Sequence, residues 1–235
     1  MFGICKDDFL VSNAVLRRNV SLEMIFFDLD GTLVDTAPDL GLALNMQRER
    51  HGLPALPLTR IRPFASHGSK GLLSAGFGLT PEHPNFAAMR SEYLELYDEV
   101  FTRSPVLFEG IAELLNVIEG KGLRWGIVTN KPRRFSEPLL KAIKLDGRSA
   151  CLVCGDDVPR AKPHPDTLLL AAKKTGTRPE DCMYIGDAER DVQAGVAAGM
   201  RTVVVLYGYI NAIDKPQEWG ADFLIQQPME LTSLI

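Results

Sequence analysis

Short, uninterrupted apolar segments recur along the chain from Met24 onward and alternate with segments of helical periodicity. Strands that are apolar on both faces belong inside a parallel sheet, because helices cover both sides of such a sheet. This alternation predicts a doubly wound, Rossmann-like α/β domain with right-handed crossovers. The predicted strands are 24–27, 124–128, 150–154, 182–185, 202–206 and 222–225, and the predicted helices are 111–121, 135–143, 166–175 and 189–198.

The first two predicted strands are separated by a long stretch without a predicted strand. Before the helix at 111–121, this stretch has predicted helices at 38–50, 70–77 and 85–102. The spacing of Thr36 and Asp39 predicts a capping box at the start of the first of these helices. We therefore expect a helical cap domain, inserted after the first strand. The predicted division is an α/β core at 24–36 and 105–235, a cap at 37–104, and an N-terminal extension at 1–23.

The extension lacks clear periodicity, and Met24 opens directly into a strand. We expect residues 1–23 to pack poorly, with Met24 near the true start of the protein. The alternative is an N-terminal helix over residues 9–18.

Charge and hydropathy exclude several classes of protein. The net charge of -4 disfavours a nucleic-acid binder, which needs a basic surface to neutralise phosphates. Apolar runs stay well below the roughly 20 residues that span a bilayer, and the charges near the N-terminus do not fit a secretory signal. We expect a cytoplasmic protein without nucleic-acid or membrane partners, present as a monomer or a homodimer.

Polar residues follow the predicted strands at the edge where ligands bind in open α/β sheets, beyond the carboxyl ends. Acids follow the first and fourth strands, Thr129 and Asn130 follow the second, and Lys162 follows the third. The hydroxyl, amide and ammonium groups suit phosphate oxygens. Clustered carboxylates repel one another and suit Mg²⁺, which prefers oxygen ligands. The sequence thus predicts a phosphate site beside a Mg²⁺ site formed by Asp28, Asp30, Asp187 and Asp191.

These motifs and their order resemble those of the haloacid-dehalogenase-type phosphatase superfamily. The matching residues are Asp28–Thr32, Thr129, Lys162 and the segment from Gly186 to Asp191. The resemblance implies that the Asp28 carboxylate attacks phosphorus and forms an aspartyl-phosphate. It implies that Asp30 is the general acid and then the general base.

The same resemblance implies a metal and a phosphate site. Mg²⁺ would be held by Asp28, the backbone carbonyl of Asp30 and Asp187, with support from Asp191. Charge on the transferred group would be stabilised by Thr129, Asn130 and Lys162.

The inserted helices resemble the cap of the phosphoglycolate phosphatases. The segments 107–110, 125–132, 207–210 and 219–222 are similar to those of bacterial N-acetylmuramic acid 6-phosphate phosphatases. We expect the substrate to be a small phosphorylated metabolite, either 2-phosphoglycolate or N-acetylmuramate 6-phosphate. The small, polar loop 66–71 suits a substrate contact through Ser66 and Lys70, and a solvent-exposed turn is the alternative interpretation.

A phosphomutase shares all four motifs and is the main alternative. A phospho-receiver signalling domain is disfavoured. Its phosphorylated aspartate would follow a later strand, whereas Asp28 and Asp30 follow the first predicted strand here. A dehalogenase of the superfamily does not use the second acid, so Asp30 argues against it.

Overall fold

The computed structural model describes residues 22–235. Six parallel strands form one sheet in the order β5–β4–β1–β6–β7–β8. Their bounds are Met24–Phe27 (β1), Arg124–Val128 (β4), Leu152–Val153 (β5), Cys182–Gly186 (β6), Arg201–Val205 (β7) and Phe223–Ile225 (β8). The predicted α/β class and all six predicted strands are confirmed, several of them with shifted ends.

Helices cover both faces of the sheet, as the continuous apolar strands predict. They are Ile111–Gly120 (α5), Arg133–Ala142 (α6), Asp166–Thr175 (α7) and Glu189–Ala198 (α8). Ile25 and Phe27 face one buried cluster with α5 and α6, whereas Met24 and Phe26 face another with α7 and α8. Strand β1 thus lies at the centre of the core, with both faces covered, and its carboxyl end lies in the middle of the sheet edge.

Between β1 and α5 the chain forms four α-helices around a separate apolar cluster. They are Ala37–Arg50 (α1), Leu58–Ile61 (α2), Gly68–Phe77 (α3) and Phe86–Val100 (α4), and a 3₁₀ segment occupies Arg62–His67. We call residues 37–104 the cap, following the division predicted above. Over the described residues, no helix combines the length and apolar character needed to cross a membrane.

The links between core and cap hold features that the sequence pattern did not predict. Val34–Asp35 (β2) pairs antiparallel with Val106–Leu107 (β3), and strands this short carry no readable periodicity. The predicted capping box is wrong. The Thr36 hydroxyl donates to Asp30 instead, and Asp39 accepts the backbone N–H of Ser104 at 3.0 Å.

The phenol of Tyr209 takes the place of the missing cap. Its oxygen accepts the backbone N–H groups of Thr36 at 2.7 Å and Ala37 at 3.0 Å, which begin α1. The predicted extension lies largely outside the described residues. Its last two residues already contact the core: Leu22 packs against the apolar cluster, and Glu23 N donates to the Asp181 carbonyl at 2.9 Å.

Candidate active site

Three carboxylates converge at the carboxyl ends of β1 and β6. One oxygen from each of Asp28, Asp187 and Asp191 lies within 4.8 Å of the others, and all three residues are buried. Asp28 directly follows β1, Asp187 directly follows β6, and Asp191 lies in the first turn of α8. The parallel sheet therefore brings together acids from two of the predicted motifs.

The approach to Asp187 requires glycine on both sides. Gly31 has a positive φ of 85°, and a Cβ there would lie 2.1 Å from Asp187 Oδ2. A Cβ on Gly208 would lie 2.4 Å from the Asp187 Cβ. The Oδ2 atom accepts the Ser66 hydroxyl at 2.5 Å and the Tyr209 N–H at 2.8 Å. A cap residue and two core loops therefore meet at this carboxylate.

Burial and mutual repulsion disfavour the ionised form of two of these acids. Burial, followed by the charges of Asp191 and Asp28, raises the pKa of Asp187 to about 7. Burial also raises the pKa of Asp28, although the Lys162 ammonium opposes it. For Asp191 burial is outweighed by Lys162 and Arg190, which lower its pKa. A divalent cation beside Asp28 and Asp187 would relieve this cost.

The donors present suit Mg²⁺ at Asp28 and Asp187. The Asp187 Oδ1 atom is buried and has no hydrogen-bond partner within residues 22–235. Such an atom is costly unless a ligand satisfies it. Asp191 is already occupied: Oδ1 accepts Lys162 Nζ at 2.7 Å and the Tyr184 hydroxyl at 3.2 Å, and Oδ2 accepts the Ala188 N–H at 3.0 Å. Both oxygens of Asp191 therefore already accept hydrogen bonds, and its charged partner is Lys162.

Lys162 lies in the floor of the site with its side chain fully buried. Its ammonium is 3.0 Å from Asp28 Oδ1 and also donates to the Tyr184 hydroxyl at 2.6 Å. The side chain of Asn130 holds this loop, because its carboxamide bonds both the N–H and the carbonyl of Lys162. If Asn130 contacts the substrate, its backbone N–H would therefore make the contact. Thr129 lies beside them, and its hydroxyl accepts the Lys131 N–H at 3.1 Å.

The carboxylate of Asp30 lies outside the group of three acids. It accepts the Thr36 hydroxyl and the ammonium of Lys131, the latter at 3.1 Å. A metal contact by Asp30 would therefore come from its backbone, as the resemblance implies, and its carboxylate is available for proton transfer.

Sequence reasoning missed two cations in the site, Lys131 and Arg190. Lys131 follows Thr129 and Asn130 directly, and Arg190 precedes Asp191, so adjacency to the motifs was the available signal. The Arg190 guanidinium donates to the Ser66 carbonyl of the cap at 2.7 Å. Both cations line the cavity between core and cap.

This cavity has a volume of about 740 Å³ and lies above Asp28 and Asp30. Ser66 and Lys70, the two residues predicted to contact the substrate, both line it. They do not lie in a loop: Ser66 belongs to the 3₁₀ segment, and Lys70 belongs to the first turn of α3. Among the described residues that line the cavity from the cap, none is acidic. The larger side chains are basic, aromatic or aliphatic: Leu40, Phe64, His67, Lys70, Arg90, Tyr93, Leu94 and Tyr97.

Comparison with known proteins gives consistent matches. The family described as "Haloacid dehalogenase-like hydrolase" matches residues 25–205. The chain is 42% identical to an N-acetylmuramic acid 6-phosphate phosphatase of Pseudomonas aeruginosa, over 93% of this chain and 96% of the relative. It is 40% identical to a phosphoglycolate phosphatase of Xanthomonas campestris, over 88% of this chain and 93% of the relative. A solved structure of a predicted phosphoglycolate phosphatase from Haemophilus somnus has a TM-score of 0.78 at 25% identity, covering 91% of this chain and 97% of that one.

Proposed function

Since the chain belongs to the haloacid dehalogenase-like hydrolase family and is a phosphatase, we propose that it hydrolyses N-acetylmuramate 6-phosphate through an aspartyl-phosphate on Asp28 with Mg²⁺ bound. The site geometry supports this proposal. Asp28 lies at the end of the central strand, beside a buried lysine and a cavity large enough for a sugar phosphate. It also lies beside an Asp187 oxygen that has no hydrogen-bond partner among the described residues.

In the first step, a carboxylate oxygen of Asp28 attacks phosphorus and the bond to the substrate oxygen breaks. Asp30 donates a proton to that leaving oxygen. In the second step, Asp30 takes a proton from water, the water oxygen attacks phosphorus, and the bond from phosphorus to Asp28 breaks. Lys162 and backbone donors near Thr129 stabilise the charge on the transferred group. Mg²⁺, held by Asp28, the Asp30 carbonyl and Asp187, would offset the repulsion between the acids and the anionic substrate.

The choice of substrate rests on the cavity. A two-carbon acid such as 2-phosphoglycolate would leave most of about 740 Å³ to water, whereas ligand pockets of this size typically enclose much larger molecules. N-acetylmuramate 6-phosphate carries a carboxylate and two methyl groups beyond its phosphate. Lys70 and Arg90 suit the carboxylate, and Phe64 and Leu94 suit the methyl groups.

Phosphate release from a panel of monoesters tests the proposal. We expect kcat/KM for N-acetylmuramate 6-phosphate to exceed that for 2-phosphoglycolate by about tenfold or more. N-acetylglucosamine 6-phosphate, which lacks the lactyl carboxylate, is the matched control and should be hydrolysed less efficiently. A preference for 2-phosphoglycolate would instead favour the activity named for the Xanthomonas relative. An isomerised sugar phosphate without phosphate release would identify a phosphomutase.

A further inference from the structure

Lys131 is a buried cation to which the mechanism above gives no role. Its side chain is 6% exposed, and Nζ lies 3.1 Å from Asp30 Oδ1 and 2.7 Å from the Tyr97 hydroxyl. Its backbone is also fixed, because its N–H donates to Thr129 and its carbonyl accepts the Ser136 hydroxyl at 3.3 Å. A buried ammonium is costly without a compensating anion, and Asp30 supplies one.

Tyr97 is a residue of the cap, on α4. Its ring stacks on Tyr93 with centroids 6.1 Å apart and packs against Phe101 at 5.8 Å and Phe135 at 5.1 Å. The Lys131 ammonium lies 4.8 Å from the centroid of the same ring. Since apolar packing fixes the ring, its hydroxyl is a defined anchor for Lys131 only while the cap is seated on the core.

We propose that Lys131 is a positioning residue for Asp30, and that Tyr97 makes this positioning depend on the seated cap. The proposal rests on the role of Asp30 as general acid in the proposed function. A carboxylate rotates over a broad range about its terminal torsion, so a fixed donor is needed to aim it. Misplacing a catalytic group by about 1 Å can cost about 100-fold in rate. Since the Thr36 hydroxyl also donates to Asp30, Lys131 supplies the part of the alignment that depends on the seated cap.

Two aryl phosphates that differ only by a nitro group separate a loss of Asp30 positioning from general structural damage. Phenyl phosphate and 4-nitrophenyl phosphate share a ring, but the phenoxide oxygen is the more basic leaving group and depends more on a proton donor. The ratio kcat/KM reports the steps up to release of the alcohol. For Lys131→Met we expect a loss of about 100-fold on phenyl phosphate and of about tenfold or less on 4-nitrophenyl phosphate. Lys141→Met, on the exposed face of α6, is the matched control and should change neither value.

Asp30→Asn serves as the reference for this pattern. It should show the same difference between the two substrates, because it removes the donor outright. If it does not, Asp30 is not the general acid and the proposed mechanism fails together with the positioning role. If Asp30→Asn shows the difference and Lys131→Met loses equally on both substrates, the proposed mechanism stands and the positioning role of Lys131 is overturned.

Tyr97→Phe tests the link to the cap, since it keeps the packed ring and removes only the hydroxyl. We expect a loss of about tenfold on phenyl phosphate, in the same direction as for Lys131→Met. Added to Lys131→Met, it should cause little further loss, because both changes break one chain of contacts. Fully additive losses would show that Tyr97 acts independently of Lys131 and would overturn the link.

Discussion

The core and cap halves of the site are built in different ways. In the core half, most charged groups are buried and held by more than one partner; Lys162, with contacts to Asp28, Asp191 and Tyr184, is the clearest case. In the cap half, Lys70 and His67 are exposed at the rim of a wall that mixes apolar, aromatic and basic side chains. The core half is thus preorganised for chemistry on any phosphomonoester, whereas the cap half is suited to the part of the substrate that varies.

Asp28→Asn should have the largest effect, because the core half would lose its proposed nucleophile. The amide is nearly isosteric but cannot form the covalent intermediate, so we expect kcat to fall by about 10⁴-fold or more on every substrate. Phosphate release measures the loss, and circular dichroism verifies the fold. Activity within tenfold of the unmodified enzyme would contradict the assignment of Asp28.

Metal removal should have the next largest effect. Treatment with EDTA would remove the cation proposed beside Asp28 and Asp187, and we expect activity to fall by about a thousandfold or more. Excess Mg²⁺ should restore it. Ca²⁺ should not, because its larger and looser coordination does not hold the geometry for in-line attack. Full turnover in metal-free buffer would contradict the proposed metal site.

Lys70→Ala should have a smaller and selective effect, because Lys70 lies on the cap rim. We expect kcat/KM for N-acetylmuramate 6-phosphate to fall by roughly five- to tenfold, with little change for 4-nitrophenyl phosphate. Lys141→Ala is the control for a surface lysine away from the cavity. Equal losses on both substrates would mean that Lys70 does not select the substrate, and that the contrast between the two halves does not hold at this residue.

The smallest predicted effect concerns stability and pH. The raised pKa of Asp187, about 7, means that the metal-free folded protein binds a proton that the unfolded chain releases near pH 4. Stability without metal should therefore fall as pH rises between these values. We expect the melting temperature in EDTA to drop by a few degrees from about pH 5.5 to about pH 8. Excess Mg²⁺ should reduce this drop in melting temperature. Asp187→Asn should make the melting temperature in EDTA nearly independent of pH over this range. If the variant keeps the same pH dependence, the drop does not come from the titration of Asp187.

The sheet and its acidic edge were predictable because their signals are local. A strand buried on both faces must be continuously apolar, so runs of apolar residues in the sequence were enough to predict β1, β4 and β6. Since parallel strands end at one edge, the residues that follow them had to meet, and Asp28 and Asp187 do. Short elements were not predicted, since β2 and β3 have only two residues each. The capping box was predicted wrongly, because the Thr36 hydroxyl donates to Asp30 and does not cap the helix.

The contacts between core and cap depended on tertiary structure. Ser66 and Asp187 are 121 residues apart, and Lys131 is 34 residues from Tyr97. Neither pair has a spacing that a sequence pattern could reveal, because each depends on how the cap helices pack over the sheet. Composition fixed which groups were available for chemistry. Only the packing of the cap decided which of them share a hydrogen bond, because such bonds need their atoms within about 3 Å of each other.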